Sequence, residues 1–305
     1  MRFTIYQESR RGGRRNNEDR MAYSYSRDAL LLVIADGMGG HYYGEVAAQI
    51  AVQTMTSAFQ QEAQTTLEDP FWFLQKHIGN AHYAISAYTE THRLEDSPRT
   101  TIVACVIQNN IAYWAHAGDS RLYLIRQGQI IGQTRDHSQV QMLVDEGMIS
   151  REQAETHPER NKVYSCLGGT HPPEVECSRK TPLHSGDLLL LCTDGIWGVM
   201  PGDILAQALQ HPDLVQSAAQ IVERAETWGG AQGDNLSLIA VRWEENYEEH
   251  SRSTISTLSM GPSEFTTRME EFGRNPHYKS SLTETEIERA IDEIRAAIEK
   301  VSFKE

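Results

Sequence analysis

The chain reads as an α+β fold, and three observations predict it. Two runs, ALLLVIA at 29–35 and DLLLLC at 187–192, have the length and apolar content of strands buried on both faces. Three more strand-like segments follow one another at 101–108, 111–117 and 121–126. Residues 44–59 and 70–91 instead show the spacing of two long helices.

Residues 4–9 form a first strand, and 21–26 return to strand-like alternation. Between them RRGGRRNNEDR at 10–20 breaks the pattern. It reads either as a solvated hairpin loop with local ion pairs or as an arginine fork facing a phosphate, with Glu18 or Asp19 helping to hold a metal. The second helix has Asp69 as N-cap and Pro70 at its first position. Its Phe71, Trp72, Phe73, Ile78, Tyr83 and Ile85 are assigned to the core, and His77, His82 and His92 to ordinary packing. Asn109-Asn110 and 127–129 are turns. Residues 136–169, opened by Asp136-His137-Ser138, form a surface insertion. Helices at 201–210 and 212–228 begin near prolines, and 236–243 closes the sheet.

After Trp243 the composition turns to Glu, Ser, Thr and Gly, so 244–280 is expected to be a flexible linker. Thr283-Glu284-Thr285-Glu286 then makes a capping box for an amphipathic helix at 281–303. Its stripe of Ile287, Ile291, Ile294, Ile298 and Val301 either folds back on the parent domain or pairs, with itself as a homodimer or with a partner protein.

The 305 residues carry a net charge of −14, which argues against nucleic acid and anionic membrane as partners. No apolar run suffices to span a bilayer, and MRFTIYQESRRGG lacks the apolar region of a secretory signal. Cys105, Cys166, Cys177 and Cys192 are scattered without a CxxC pair, as buried free thiols of a reducing cytoplasm.

The chemistry concentrates where strands leave the core. Asp36 opens DGMGGH, Asp119 ends WAHAGDS, Asp194 follows LLLLCT, and Asp234 sits in Gly-Asp-Asn before the last strand. DGMGGH alone reads equally well as a turn. Repetition of the device favours a metal site, because carboxylates at buried strand ends cost desolvation unless a cation shares them. Carboxylates with nearby glycine carbonyls suit hard divalent cations; without a metal they repel and raise each other's pKa. The glycine spacing misses a dinucleotide fingerprint, and no P-loop, GxSxG or catalytic-cysteine signature is present.

GGRRNNEDR, DGMGGH, AHAGDSRLY, TRDHS, LGG, LLLCTDGIWG and GDNLS occur in an order that resembles the metal-dependent serine/threonine phosphatases of the protein phosphatase 2C (PPM) type, especially bacterial members. The resemblance covers 1–243. It implies a four-layer α-β-β-α sandwich of two antiparallel sheets, with metals in a cleft at one sheet end. By motif position, Asp36 bridges two Mn2+ or Mg2+ ions, and the Gly37 carbonyl ligates one of them. Asp194 and Asp234 ligate the other, Glu18 or Asp19 binds the second metal directly or through water, and Asp119 helps hold a third, weaker one. Arg14 matches the phosphate-gripping arginine. Many eukaryotic members have a histidine where Met38 stands; here His41 is the candidate general acid, with water as the alternative. Arg99 and Arg11 replace glycines common in the family.

The implied activity is hydrolysis of phosphoserine or phosphothreonine by in-line attack of a metal-bridging hydroxide, opposing a cognate kinase, with 136–169 as the family's variable flap. The competing reading is a phosphoprotein-binding scaffold acting through the C-terminal helix.

Overall fold

The computed structural model describes residues 1–38, 43–150, 153–154, 157–160, 162–244, 253–261 and 264–269. The chain opens with strands Arg2–Arg10 (β1), Arg20–Tyr25 (β2), Ala29–Ala35 (β3) and the short Gly37–Met38 (β4). Helices Gly44–Glu62 (α1) and Pro70–His92 (α2) follow. Strands Arg99–Thr100 (β5), Ile102–Gln108 (β6), Ile111–Ala117 (β7), Arg121–Arg126 (β8) and Gln129–Gln133 (β9) lead to helix Gln139–Asp145 (α3). Then come Glu176–Cys177 (β10), Thr181–Pro182 (β11) and Leu188–Cys192 (β12). Helices Asp194–Trp197 (α4), Gly202–Ala208 (α5) and Leu214–Gly229 (α6) precede Leu236–Trp243 (β13), Thr254–Ser256 (β14) and Thr266–Met269 (β15).

Among the described residues thirteen of these strands build two antiparallel sheets, ordered β14-β1-β13-β12-β8-β9 and β10-β7-β6-β3-β2-β15 with β11 also paired to β7, while β4 and β5 pair separately. Alternation along β3 shows why they stack. Leu30, Leu32 and Ile34 enter the apolar layer between the sheets, where they meet Leu122, Leu189 and Val241. Leu31, Val33 and Ala35 face the other way, into the layer under α1 and α2. A third layer joins β8, β12 and β13 to α5 and α6 through residues such as Leu190, Leu205, Ile221 and Leu238. The result is the expected α-β-β-α sandwich, and β3 is wholly buried because helices cover what the facing sheet does not.

Local signals work as the sequence suggests. The Asp69 carboxylate accepts from the amides of Phe71 and Trp72 at 3.0 and 3.1 Å, with Pro70 beside it, and starts α2. Asn109 and Asn110, both at positive φ, turn β6 into β7. His77 pairs with Glu62 at 2.9 Å, and His82 accepts from the Gly168 amide at 3.1 Å. On α2 the core assignment needs correction: Phe73, Ile78 and Ile85 are buried, but Trp72 and Tyr83 are exposed. The described cysteines are all free.

Within 244–280 the linker reading needs correction for the described residues 253–261 and 264–269. β14 extends the first sheet alongside β1, and β15 extends the second alongside β2. Between them Thr257 is fully buried; its amide donates to the Met1 carbonyl at 3.1 Å, and its hydroxyl donates to the Arg27 carbonyl at 2.5 Å. Phe265 sets its ring edge-on against Phe59 of α1, with centroids 6.3 Å apart. Backbone pairing at open sheet edges holds 254–256 and 266–269, although their sequence carries little apolar pattern. The helix expected at 281–303 and its dimerisation lie outside the described residues.

Candidate metal centre

The two sheets deliver acidic residues to one end of the sandwich. Asp19 immediately precedes β2, Asp36 follows β3, and Asp119 follows β7. From the facing sheet, Asp194 opens α4 after β12, and Asp234 lies just ahead of β13. Asp19 and Asp119 are buried, while Asp36, Asp194 and Asp234 are half-buried.

Hydrogen bonds fix their backbones. The Asp36 amide donates to Thr101 Oγ1 at 3.0 Å, and its carbonyl accepts from the Thr101 amide and the Thr100 hydroxyl at 2.9 Å each. Thr101 shares a further 2.7 Å hydrogen bond with Ser120, next to Asp119. Gly37 and Met38 pair with Thr100 and Arg99 in a two-strand ladder. A Cβ at Gly37 would fall 2.4 Å from the Gly44 backbone, and one at Gly44 only 2.0 Å from Glu18 Oε2; only glycine fits this approach. Asn235 clamps the loop before β2: its Oδ1 accepts from the Glu18 amide, and its Nδ2 donates to the Arg11 and Asn16 carbonyls, all at 2.8 Å.

The carboxylates lie in one another's field. Burial first, then Asp19, Asp194, Asp119 and Asp234, hold Asp36 well above the usual carboxylate range. Asp194 is pushed up to about 7 by burial, Asp234 and Asp19. Asp19 also rises to about 7, chiefly by burial, although Thr193 donates to its Oδ2 at 2.9 Å. Asp119 is raised by burial, Asp194 and Asp136. Asp19 Oδ1 and Asp194 Oδ1 are buried without a hydrogen-bond partner. Unpartnered carboxylate oxygens in a field this negative fit a hard cation held by oxygen.

Glu18 and Asp19 separate here. Asp19 is the member buried among the other aspartates. Glu18 turns its carboxylate toward Gly44 at the start of α1, where burial and Glu45 raise it to about 6. Arg14, 57% exposed, sits at the mouth with Nη2 2.6 Å from Asp234 Oδ2. His41, the candidate acid, lies outside the described residues. Thr101, Thr193 and Asn235 hold the aspartates in place but were not singled out by sequence reasoning. Thr193 and Asn235 were nonetheless detectable, each flanking an acidic residue at a strand exit.

The insertion at 136–169 is anchored at both ends. Arg121 donates to both oxygens of Asp136 at 2.8 and 2.7 Å while its guanidinium carbon lies 3.6 Å from the centre of the Trp197 ring. At the far end Leu167 and Thr100 exchange backbone hydrogen bonds.

Such a centre places the molecule among proteins that hold divalent cations through carboxylates at the ends of packed sheets. The chain belongs to the protein phosphatase 2C family, whose model matches residues 7–236. It is 35% identical over 226 residues to the serine/threonine protein phosphatase PstP of Mycobacterium tuberculosis, which covers 74% of this chain but 42% of that relative. The chain therefore spans less than half the length of that relative. The serine/threonine phosphatase stp of Listeria monocytogenes is 32% identical over 231 residues, 75% of this chain and 90% of that protein. The catalytic domain of PstP solved in complex with two manganese ions superposes with a TM-score of 0.67 at 32% identity, covering 80% of this chain and 99% of that one. Stp1 of Staphylococcus aureus gives 0.72 at 29% identity, covering 79% and 95%. Among the described residues no helix is long and apolar enough to cross a membrane.

Proposed function

We propose that the chain is a metal-dependent protein phosphatase that removes phosphate from serine or threonine of phosphorylated proteins. The carrying observation is the cluster of aspartates at one end of the sandwich, raised by one another's charge, in which Asp19 Oδ1 and Asp194 Oδ1 are buried without a hydrogen-bond partner. Asp36, Asp19, Asp194 and Asp234, with the Gly37 carbonyl, would hold two Mn2+ or Mg2+ ions, and Asp119 a third, weaker one. When bound there, the cations lower the pKa of water and neutralise charge on phosphoryl oxygens. Arg14 at the mouth aims a guanidinium where those oxygens would enter. His41 is the candidate that returns a proton to the leaving serine or threonine oxygen. No nucleophilic side chain is required.

The catalytic unit in this reading is 1–243, braced by β14 and β15, and acts in the cytoplasm against a cognate kinase. The flap at 136–169 selects among phosphoproteins, and the stretch 281–303, expected from sequence to be helical, docks a partner or a second copy. The complete carboxylate set supports turnover rather than a scaffold role. The test is a phosphoserine peptide offered with Mn2+ and then with chelator. Phosphate release that stops on chelation supports the proposal; peptide capture without release in Mn2+ overturns it.

A further inference from the structure

Three residues before Asp119, β7 presents a different donor. His116 and His137 are each 2% exposed and stack with ring centroids 4.6 Å apart. His116 Nε2–H donates to the Arg135 carbonyl at 2.6 Å, and a carbonyl can only accept. The lone pair is thereby left on Nδ1, which is buried without a hydrogen-bond partner. His137 Nδ1 accepts from the Gly118 amide over a long 3.3 Å, and its Nε2 is also buried without a hydrogen-bond partner. Glu176 on β10 pairs in register with His116 and brings Oε2 to 3.6 Å from His137 Nε2. One donor atom from each of the three residues lies within 4.8 Å of the others. Burial, with His116 adjacent, lowers the His137 pKa and keeps that ring neutral, as a ligand must be.

We propose that His116 Nδ1, His137 Nε2 and Glu176 Oε2 form a second metal site, for a zinc-like cation, separate from the carboxylate centre. Tetrahedral zinc with bonds of about 2.0–2.1 Å sets its donors about 3.4 Å apart. The 3.6 Å between His137 Nε2 and Glu176 Oε2 is already near that spacing. His116 and Glu176 also line a cavity of about 320 Å3, with Thr134 and Ser178, which has room for a water as fourth ligand. Arg135 holds the far nitrogen of His116, as backbone carbonyls do for metal-bound histidines. Coordination shifts the His137 proton from Nε2 to Nδ1 and gives up the long Gly118 contact. That cost favours Zn2+, which binds imidazole strongly, over Mg2+ and Mn2+. The site joins β7, β10 and the base of the flap, where the His137 amide donates to the Gly118 carbonyl at 3.0 Å.

The test is Zn2+ titration of the full chain in excess Mg2+, read by competition with a chromogenic chelator. The expected result is a binding event that weakens at least about 10-fold in His116→Gln and in Glu176→Gln. Glu176, 46% exposed, can be changed with little risk to folding. Co2+ in place of Zn2+ gives the intense visible bands of a tetrahedral site in the unaltered chain and loses them in Glu176→Gln. An isotherm unmoved by Glu176→Gln, or only the weak spectrum of octahedral Co2+, overturns the site.

Discussion

Asp119 and His116 stand three residues apart at one strand exit, yet they face opposite chemistries. Asp119 looks into a ring of carboxylates that raise one another's pKa, so an empty centre is under electrostatic stress that a cation relieves. His116 looks at a neutral imidazole and one half-exposed glutamate, so its cluster carries little charge of its own. The first arrangement selects hard cations through oxygen, the second softer ones through nitrogen. On the proposed reading one strand would serve two metals, its direction changing from pleated alternation to a glycine turn at Gly118, whose φ is +113°.

The largest contrast lies in catalysis. Asp36→Asn and Asp194→Asn each remove charge from the oxygen centre, and phosphomonoester hydrolysis at saturating Mn2+ is expected to fall at least ~100-fold, beyond what loss of an outer-shell partner costs. His116→Gln is expected to leave that rate near the starting value. Equal losses in both would erase the distinction.

Arg14→Ala should act next most strongly. A charge-assisted hydrogen bond to phosphate contributes about 1.5–3 kcal/mol, so KM should rise roughly 10-fold or more while kcat moves less. An unchanged KM would remove Arg14 from the phosphate's path.

Truncation after Glu244 compares the centre with the strap that braces it. It strips β14 and β15 from β1 and β2, so the melting temperature should drop by roughly 5 °C or more while the folded fraction keeps its Mn2+-dependent activity. An unmoved melting temperature would restore the linker reading.

The smallest effect is that of pH on the metal-free protein. Folding raises Asp19 and Asp194 from 3.8 to about 7, so the native state holds protons the unfolded chain has released. Their contribution is most favourable below about pH 4 and declines as pH rises through 7. Added Mn2+ should flatten this slope in thermal melts between pH 5 and 8; a slope indifferent to metal would count against the shared field.

What was legible in the sequence follows from these same forces. ALLLVIA could be placed because a strand covered on both sides leaves no room for charge. The aspartates could be placed because each flanks a strand, Asp36, Asp119 and Asp194 after one and Asp19 and Asp234 before one. His116 and His137 are separated along the chain and meet through hydrogen bonds of Gly118 with His137 and of His116 with the Arg135 carbonyl, so no spacing announced them. β14 and β15 carry Thr, Ser and Arg and are held by edge hydrogen bonds, which leave little trace in hydropathy. Trp72 and Tyr83 lie on one exposed stripe of α2, where a core reading followed their apolar rings rather than the helix period.

The most direct measurement strips the chain with chelator, adds Mn2+ in steps, and counts bound metal and released phosphate in the same samples. Hydrolysis should be absent without metal, rise as the oxygen centre fills, and collapse together with Mn2+ binding in Asp36→Asn. Hydrolysis that persists after chelation, or an Asp36→Asn chain that binds Mn2+ and turns over normally, would contradict the account.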